Sequence, residues 1–485
     1  MASLEEIRSA RLAKLQLLID RGINPYPATT ARTHSNLEVA LQFDELKEHT
    51  PVTLAGRIMS LRAQGKIIFL DFDDGTSCFQ ALLKKSEPLP AEAFELFEKT
   101  FDIGDFIEIT GTLFLTKKEE KTILAEEVRM LTKSLLPLPE KWHGLQDVEE
   151  RFRKRYLDIL SNPEIKNLFV KKATFWNATR HFLQREGFLE VETPTLEVTT
   201  GGAEARPFKT HHNDFDMDVY LRISVGELWQ KRLLAAGFPR VFEIVRVYRN
   251  EGSSPEHTQE FTNLEFYAAY MDYREGMEFT ERMIKEVAQE TFGTLQFNIK
   301  EQHVDLSAPW KRIAYVDTVE EMLGINVLES SEQEMMKKLD ELGVTYEGSN
   351  RERLTDSLWK YCRKQITGPV WLIDVPKLVS PLSKAKPDNP LLTERVQLLL
   401  AGAECTNGFS ELNDPIDQQA RFAVQQKLIE AGDEEAMMPD HEFVEMLEHG
   451  MPPAFGFAYG ERLFAFLVDK PLRETQLFPL MRPRQ

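Results

Sequence analysis

The chain has 485 residues, with 59 Lys and Arg against 78 Asp and Glu, three cysteines and 42% hydrophobic residues. At roughly 150 residues per domain that length predicts two or three domains with a full-sized core, while the net charge of −19 speaks, in bulk, against nucleic acid or an anionic membrane as partner. No run approaches about 18 apolar residues, so no membrane span is expected, and Cys78, Cys362 and Cys405 are too few and scattered for a disulfide framework or a zinc site.

Residues 1–8 lack an apolar signal core, and Glu5, Glu6 and Asp20 oppose a transit peptide, so a cytoplasmic location is expected. The charge is uneven along the chain. Residues 251–350 carry 8 basic and 21 acidic side chains and 401–450 carry 2 and 12, whereas 151–250 carry 17 and 12. Confining the basic excess to certain blocks leaves a polyanionic ligand open.

Residues 4–20 predict an amphipathic helix, with Leu4, Ile7, Leu12, Leu15 and Ile19 on one face and Arg8, Arg11, Lys14 and Arg21 giving a basic side. That side reads either as a solvated face or as an RNA contact. Gly22 and Asn24-Pro25-Tyr26-Pro27 stop the helix, so 1–50 is a helix and lead-in. β-rich runs follow at 52–61, 66–73, 76–83, 106–115 and 122–131, with Asp74-Gly75 as a hairpin-type turn and a helical stretch at 91–100. Five strands with a helix after the third predict a small oligonucleotide-binding (OB) β-barrel over 51–134. Such barrels hold single strands with exposed aromatics and amides. Phe69 and Gln80 lie on the second and third strands, as RNA contacts or as a core phenylalanine and a rim glutamine.

Residues 135–150 begin with Leu-Leu-Pro-Leu-Pro and form a stiff linker. Beyond it, 151–485 is a long α+β region, so the fold class is α+β multidomain. Helices are expected at about 163–186, 274–292 and 318–366, with strands near 188–192, 217–223, 240–270, 370–375 and 402–412, then helices to the end.

The densest chemistry lies in 240–272. Strand periodicity puts Glu243, Val245, Val247, Arg249 and Glu251 on one face. In the returning strand Phe261, Asn263, Glu265 and Tyr267 share a face, and Thr262, Leu264, Phe266 and Ala268 share the other. One face is apolar core; the other carries an arginine, carboxylates and aromatics, as a binding surface or a salt-bridged solvated face.

In 402–414, Asn407, Phe409 and Glu411 alternate onto one face, and Glu404 joins them only through a bulge, for which Gly408 is the candidate. Glu404 with Glu411 would make an oxygen-only site suited to Mg²⁺ held with phosphates; the alternative is ordinary surface carboxylates. Gly456-Phe457-Ala458-Tyr459-Gly460 reads as a glycine-bearing turn feeding a helix whose first turn holds Arg462. A guanidinium there can grip a phosphate or serve as a structural arginine near a cap.

These stretches, with His143-Gly144-Leu145-Gln146-Asp147, Arg155-Tyr156-Leu157-Asp158, the run Gly201-Gly202-Ala203-Glu204-Ala205-Arg206-Pro207-Phe208, His211-His212-Asn213, Arg249-Asn250-Glu251-Gly252, His257, Glu260-Phe261-Thr262 and 407–414, occur in one order. Together they resemble a class II aminoacyl-tRNA synthetase, and specifically a bacterial-type lysyl-tRNA synthetase, almost from end to end. The resemblance implies a catalytic domain over 151–485, built on an antiparallel β-sheet flanked by helices, with a helical insertion at about 318–366. It implies a homodimer whose interface includes the segment ending at Glu192-Thr193-Pro194, and L-lysine, ATP, Mg²⁺ and tRNA(Lys) as ligands.

Residue by residue, the resemblance gives Arg249 the ATP α-phosphate and the lysine carboxylate, Glu251 the adenine, His257 the phosphates and Phe261 a stacking role. Arg462 would hold the γ-phosphate, and Glu404 and Glu411 the Mg²⁺, so Arg249 and Arg462 are the catalytic pair. Glu265, Tyr267 and Glu411 fall to the ε-ammonium, Asn407 to the carboxylate, and Gly202 and Glu227 to the α-amino group, with Phe409 along the stem. Phe69, Gln80 and Glu127 fall in anticodon-reading positions. A lysine pocket needs anionic acceptors and something flat along an apolar stem. An aspartate-specific relative would need a cation there, and none appears.

Three positions depart from the family pattern. Ile223-Ser224-Val225-Gly226 makes the approach to Glu227 one residue longer, the family's motif 3, here residues 456–467, is one residue shorter with Glu461 in place of Asp before Arg462, and Thr258 stands where Asn commonly follows the histidine. Two other readings are a lysylating enzyme acting on a protein, whose known members lack the barrel, and a non-catalytic RNA-binding paralogue, which loss of Arg249, Glu404 or Arg462 would favour.

Overall fold

The computed structural model describes residues 3–47, 51–139, 145–203, 205–252, 254, 257–346, 348–432 and 436–484. His143, Gly144 and Glu204 of the runs above lie outside the described residues, as does part of the 135–150 linker. The chain divides into two compact units, Met1–Asp147 and Val148–Gln485.

In the first unit, Ser3 starts helix α1 (Leu4–Asp20) with a capping box: its side chain accepts from the Glu6 N–H, and Glu6 accepts from the Ser3 N–H. The expected apolar stripe is packed only in part, with Ile7, Leu12 and Leu15 half-buried. Leu4 and Ile19 are exposed, while Arg11 and Leu18 are buried. Arg11 donates to Ser134 Oγ (2.5 Å) and to the carbonyls of Leu136 and Ile103 (both 3.0 Å), and Lys14 pairs with Asp102 at 2.6 Å. Part of the basic side therefore fastens the helix to the unit, an outcome that neither the solvated-face nor the RNA reading contained.

Strands β1 (Val52–Gln64), β2 (Ile67–Asp73), β3 (Cys78–Lys84), β4 (Phe106–Leu115) and β5 (Lys121–Thr132) close a barrel in the order β1-β2-β3-β5-β4, with helix α2 (Ala91–Thr100) between β3 and β4. Alternation drives the closure. Leu54, Ile58, Leu70, Phe72, Ala81, Leu83, Ile107, Ile109 and Ile123 fill the interior, which sends the intervening positions outward. The OB expectation holds.

The second unit is built on a nine-stranded sheet among the described residues. Its strands are β6 (Leu189–Glu190), β7 (Arg240–Tyr248), β8 (Glu260–Ala269), β9 (Lys311–Ala314), β10 (Val370–Ile373), β11 (Arg395–Leu400), β12 (Ala403–Glu404), β13 (Thr406–Ser410) and β14 (Ala454–Gly460), in the order β9-β10-β11-β13-β14-β8-β7-β6 with β12 beside β11. The six central strands are antiparallel, as expected, and the edge pairs β9–β10 and β7–β6 are parallel. The sheet is therefore mixed at its margins.

One face is covered by helices α3 (Pro163–Arg185) and α5 (Tyr273–Phe292). Pro163 sits at the first turn of α3, where its missing N–H costs nothing, and Asp272 caps α5 with Glu275. Phe182 packs on Phe279, which packs in turn on Phe266 of β8 and on Phe188, each burial contributing about 1.5–3 kcal/mol. Helices α4 (Glu227–Ala235), α6 (Tyr315–Leu323), α7 (Glu332–Glu341) and α8 (Arg351–Arg363) complete the parts used below, with α9 (Glu461–Leu467) following β14. The 318–366 region is thus three helices around their own core of Val319, Leu339, Leu354, Leu358 and Trp359.

Two expectations fail here. Residues 456–460 are not a turn but the interior of β14, between β13 and β8. Glycine is needed because a Cβ on Gly456 would coincide with Glu411 Oε1 and meet the Tyr267 ring, so close approach, and not bending, explains it. Nor is the part after 412 helical throughout, since β14 lies there, its glycines reading as a turn from sequence alone; β11 falls in 376–401, for which no element was expected.

Candidate active site

The β7–β8 hairpin pairs Val247 with Phe261, Val245 with Asn263, Glu243 with Glu265 and Val241 with Tyr267, so the polar sets predicted on each strand share one side. Phe242, Leu264, Phe266 and Ala268 of the other side are buried in the main core. On the polar side lies a cavity of about 530 Å³. Gly202, Glu227, Arg249, Glu251, His257, Phe261, Glu265, Tyr267, Glu404, Asn407, Phe409, Glu411 and Arg462 all line it. Thirteen predicted residues from five separate segments meet at one surface.

Glu404 reaches the cavity through a bulge, but not at Gly408. Gly408 pairs regularly with Val396 and with Phe457. The register slips between Val396–Gly408 and Leu399–Glu404, where Thr406 Oγ1 replaces a backbone acceptor for the Leu398 N–H. The extra residue between them turns the Glu404 carboxylate to the side of Asn407, Phe409 and Glu411.

The amino-acid end is an acidic, aromatic enclosure. Glu265 is buried, its Oε1 accepting from the Val225 N–H (2.8 Å) and its Oε2 from the Tyr267 hydroxyl (2.9 Å). Burial, and then the charge of Glu227, pushes its pKa up to about 8. Glu411 is also buried and also pushed up to about 8, by burial first; the charge of Lys231 lowers it, and the charges of Glu227 and Glu265 raise it. The lengthened approach to Glu227 is thus put to use. Val225 in that insert supplies the backbone donor for Glu265, Ser224 ties the loop to the Gly201 carbonyl at 2.8 Å, and Glu227 still opens α4 beside Gly202, whose missing Cβ leaves the room its carboxylate fills.

One expectation is overturned: a cation does appear here. Lys231, one turn along α4 from Glu227, is buried with its Nζ 2.6 Å from Glu227 Oε1 and 2.5 Å from Glu411 Oε2. Burial alone would lower its pKa, but the two carboxylates outweigh that and hold it above its ordinary value. The set stays acidic, with three carboxylates to one ammonium. Glu227 and Lys231 stand at i and i+4 on α4, a helix that was not among the expected elements.

Arg395 was also missed. Its Nε donates to Asn407 Oδ1 at 2.8 Å, while Nη1 holds the Val379 carbonyl and Ser380 Oγ.

At the other end Arg249 lies with its guanidinium 5.4 Å from the Phe261 ring, its pKa lowered chiefly by burial. Arg462 Nη2 is 2.9 Å from His257 Nε2, and His257 Nδ1 is 2.7 Å from Ser254 Oγ. Glu461, the departure in motif 3, points away from the cavity: it is buried against Lys172, Thr475 Oγ1 and the Thr262 N–H. Thr258 lines the cavity while bonding the Glu260 carbonyl and Gln476.

The Mg²⁺ that the resemblance implies would need oxygen donors beside the phosphates. Glu404 fits, since its carboxylate lines the cavity with Oε1 held by Trp359 Nε1 at 2.5 Å. Among the described residues Glu411 Oε1 has no hydrogen-bond partner and so is an open donor, although Oε2 is engaged by Lys231. The helical insertion takes part as well, with Glu352, Arg353, Asp356, Trp359 and Lys360 of α8 on the cavity wall.

Phe69, Gln80 and Glu127 belong to the barrel. Phe69 is half-buried on β2 and faces outward with Gln80, since Asp71 pairs with Gln80 and Phe69 with Leu82. Gln80 is buried beneath Glu120, to which its Nε2 donates, and Glu127 is exposed further along β5.

The family described as tRNA synthetases class II (D, K and N) matches residues 147–482, and an OB-fold nucleic acid binding domain matches 52–131. The chain is 43% identical to the lysine–tRNA ligase of Thermotoga maritima over 99% of its own length and 97% of that protein. It is 44% identical to those of Pelotomaculum thermopropionicum (99% and 96%) and Carboxydothermus hydrogenoformans (99% and 99%). The chain belongs to the class II tRNA synthetases, in their lysine–tRNA ligase family. As a member of this family it is an enzyme, a ligase, with an OB-fold domain ahead of a class II catalytic domain. No helix among the described residues is long and apolar enough to cross a membrane.

Proposed function

We propose that this synthetase activates L-lysine with ATP in the cavity and transfers it to the 3′-terminal ribose of tRNA(Lys). The observation that carries the reading is the enclosure of Glu227, Glu265 and Glu411 among Tyr267 and Phe409, an excess of buried carboxylates beside a flat apolar wall. An amino acid without an ε-ammonium would leave a carboxylate unpaired there, which costs more than a lost methylene.

The chemistry needs no protein nucleophile. The lysine carboxylate oxygen attacks the α-phosphorus, forming a P–O bond as the bond to pyrophosphate breaks. A ribose hydroxyl then attacks the carbonyl of the mixed anhydride, and AMP leaves. Arg249 would bring carboxylate and α-phosphate together, Arg462 and His257 would hold the outer phosphates, Phe261 and Glu251 the adenine, and Asn407, Gly202 and Glu227 the head of the amino acid. Mg²⁺ bound by Glu404 and Glu411 would supply charge neutralisation on the phosphates. The gain comes from placement and from fixed charges that cost no reorganisation.

The barrel supports tRNA over a protein acceptor, with Phe69, Gln80 and Glu127 as proposed anticodon contacts. A homodimer belongs to the same proposal, supported by exposed Leu189, Leu196 and Val198 around the segment ending at Pro194. Three cysteines, Cys78, Cys362 and Cys405, are few enough to suit a reducing cytoplasm. ATP–pyrophosphate exchange across the twenty amino acids tests the reading. Exchange with lysine alone is expected; exchange with aspartate instead, or none, overturns it.

A further inference from the structure

Lys231 has no role in the reading above, yet it is the best-buried cation of the site, 1% exposed. Its ammonium lies between Glu227 Oε1 at 2.6 Å and Glu411 Oε2 at 2.5 Å, the groups proposed for the two opposite ends of the substrate. Three rings surround it, with centroids 5.4 Å (Phe409), 5.8 Å (Tyr267) and 5.8 Å (Phe443) away. Glu265 is already engaged by Val225, Asn263 and Tyr267, and Glu411 Oε1 has no hydrogen-bond partner among the described residues.

Counting charge makes the arrangement specific. With an amino acid bound and its ammonium ionising them, Glu227, Glu265 and Glu411 bring three carboxylates and Lys231 one ammonium, which leaves an excess of two on the amino-acid side, the Mg²⁺ charge being set against the ATP phosphates. Lysine carries two ammonium groups, and its carboxylate falls to Arg249. A neutral side chain supplies one ammonium too few, and an acidic one adds a further anion. Buried carboxylates left over in this way are costly, which is what turns a charge count into discrimination.

We propose that Lys231 is a specificity-determining positioning residue: its fixed ammonium holds Glu227 and Glu411 together and sets the pocket's demand at two further ammonium groups, one for each end of lysine. This rests on the lysine reading given under Proposed function. Without Lys231 the two carboxylates repel across the site, and bound lysine leaves one of them uncompensated.

The test uses the full chain, with ATP–pyrophosphate exchange for wild type, Lys231→Met and Lys231→Arg, and with lysine and norleucine as amino acids. Norleucine has the four-carbon stem of lysine without its ammonium. Lys231→Met should raise the lysine KM about tenfold or more and narrow the preference for lysine over norleucine, as loss of a charged partner does. The ATP KM should stay within about twofold, and Lys231→Arg should keep the preference. An unchanged lysine KM overturns the inference, and so does a lower one, which would mean that Lys231 competes with the substrate. A parallel rise in the ATP KM would show a general structural defect and overturn it too. Where Lys231→Met fails to fold, Lys231→Arg decides, because loss of its preference for lysine overturns the inference. Failure of wild type to use lysine would overturn the underlying reading instead.

Discussion

Arg395 Nε donates to Asn407 Oδ1 at 2.8 Å, so the amide of Asn407 turns its Nδ2 donor toward the cavity. A carboxylate there would face the substrate's own carboxylate. Asn407→Asp should raise the lysine KM by a factor corresponding to about 1–3 kcal/mol and leave the ATP KM little changed. Arg395→Gln frees the amide to flip and should give a smaller rise of the same kind. Lysine and ATP KM values in pyrophosphate exchange check both.

Arg249 lines the cavity and is the residue proposed to meet both reactants. Arg249→Ala should lower lysine-dependent exchange by on the order of 10²–10³ or more. Near-normal exchange in this variant would sink the site assignment.

Trp359 ties the helical insertion to Glu404 by its indole N–H while stacking on Tyr315, centroids 4.7 Å apart. Trp359→Phe keeps a ring for the stack and removes the donor. The Mg²⁺ concentration giving half-maximal exchange should rise several-fold, about 1 kcal/mol, with the rate at saturating Mg²⁺ near that of wild type. A Mg²⁺ titration measures it.

Gly456→Ala places a methyl where Glu411 Oε1 and the Tyr267 ring now sit. Overpacking of this kind costs about 1–3 kcal/mol. Thermal unfolding should show the loss, and isothermal titration should show lysine affinity falling with it, since the displaced group is the proposed ammonium contact.

The pKa values of Glu265 and Glu411, both pushed up to about 8, make a pH prediction with a definite sign. A raised carboxyl favours the protonated fold, so that contribution is greatest below the ordinary value near 4.5 and is lost as pH rises through about 8. Stability of the free chain should therefore decline across this window. Glu197, pushed up to about 7 by burial, titrates there too, so the lysine dependence is the sharper readout. An ammonium stabilises ionised carboxylates; lysine binding should release protons near pH 7 and tighten toward pH 8. Calorimetry in buffers of different ionisation enthalpy measures the release, and proton uptake would contradict it.

The hairpin face of Arg249, Glu265 and Tyr267 was legible because one side of a two-residue period was mainly apolar, with Phe242, Ile244, Leu264, Phe266 and Ala268, which left the other side to the polar groups. The barrel was legible for the same reason, helped by Asp74-Gly75. Three things were not. Lys231 and Arg395 come from segments whose own patterns look ordinary, and they matter only through partners far along the chain. Gly456 looked like a turn because local sequence does not distinguish a glycine that bends from one that makes room. The basic side of α1 hid its use, since the carbonyls that Arg11 binds carry no sequence signature. The net charge misled for a related cause: a few of the acids in 251–350 and 401–450, such as Glu265 and Glu411, are interior groups and so no guide to the surface met by RNA.

Glu461 lends the neighbouring guanidinium an unusual economy of motion. Because its carboxylate is anchored to Lys172, Thr475 and the Thr262 backbone, the root of Arg462 is immobilised on a short helix. Exchanging His257 for the phosphate proposed above then calls for torsions along the arginine side chain, which also reaches the Glu404 carbonyl at 3.5 Å. Such rotamer hops take picoseconds to nanoseconds, against microseconds or longer for rearranging whole elements. In the proposed reading the arginine can therefore keep pace with nucleotide arrival by side-chain motion.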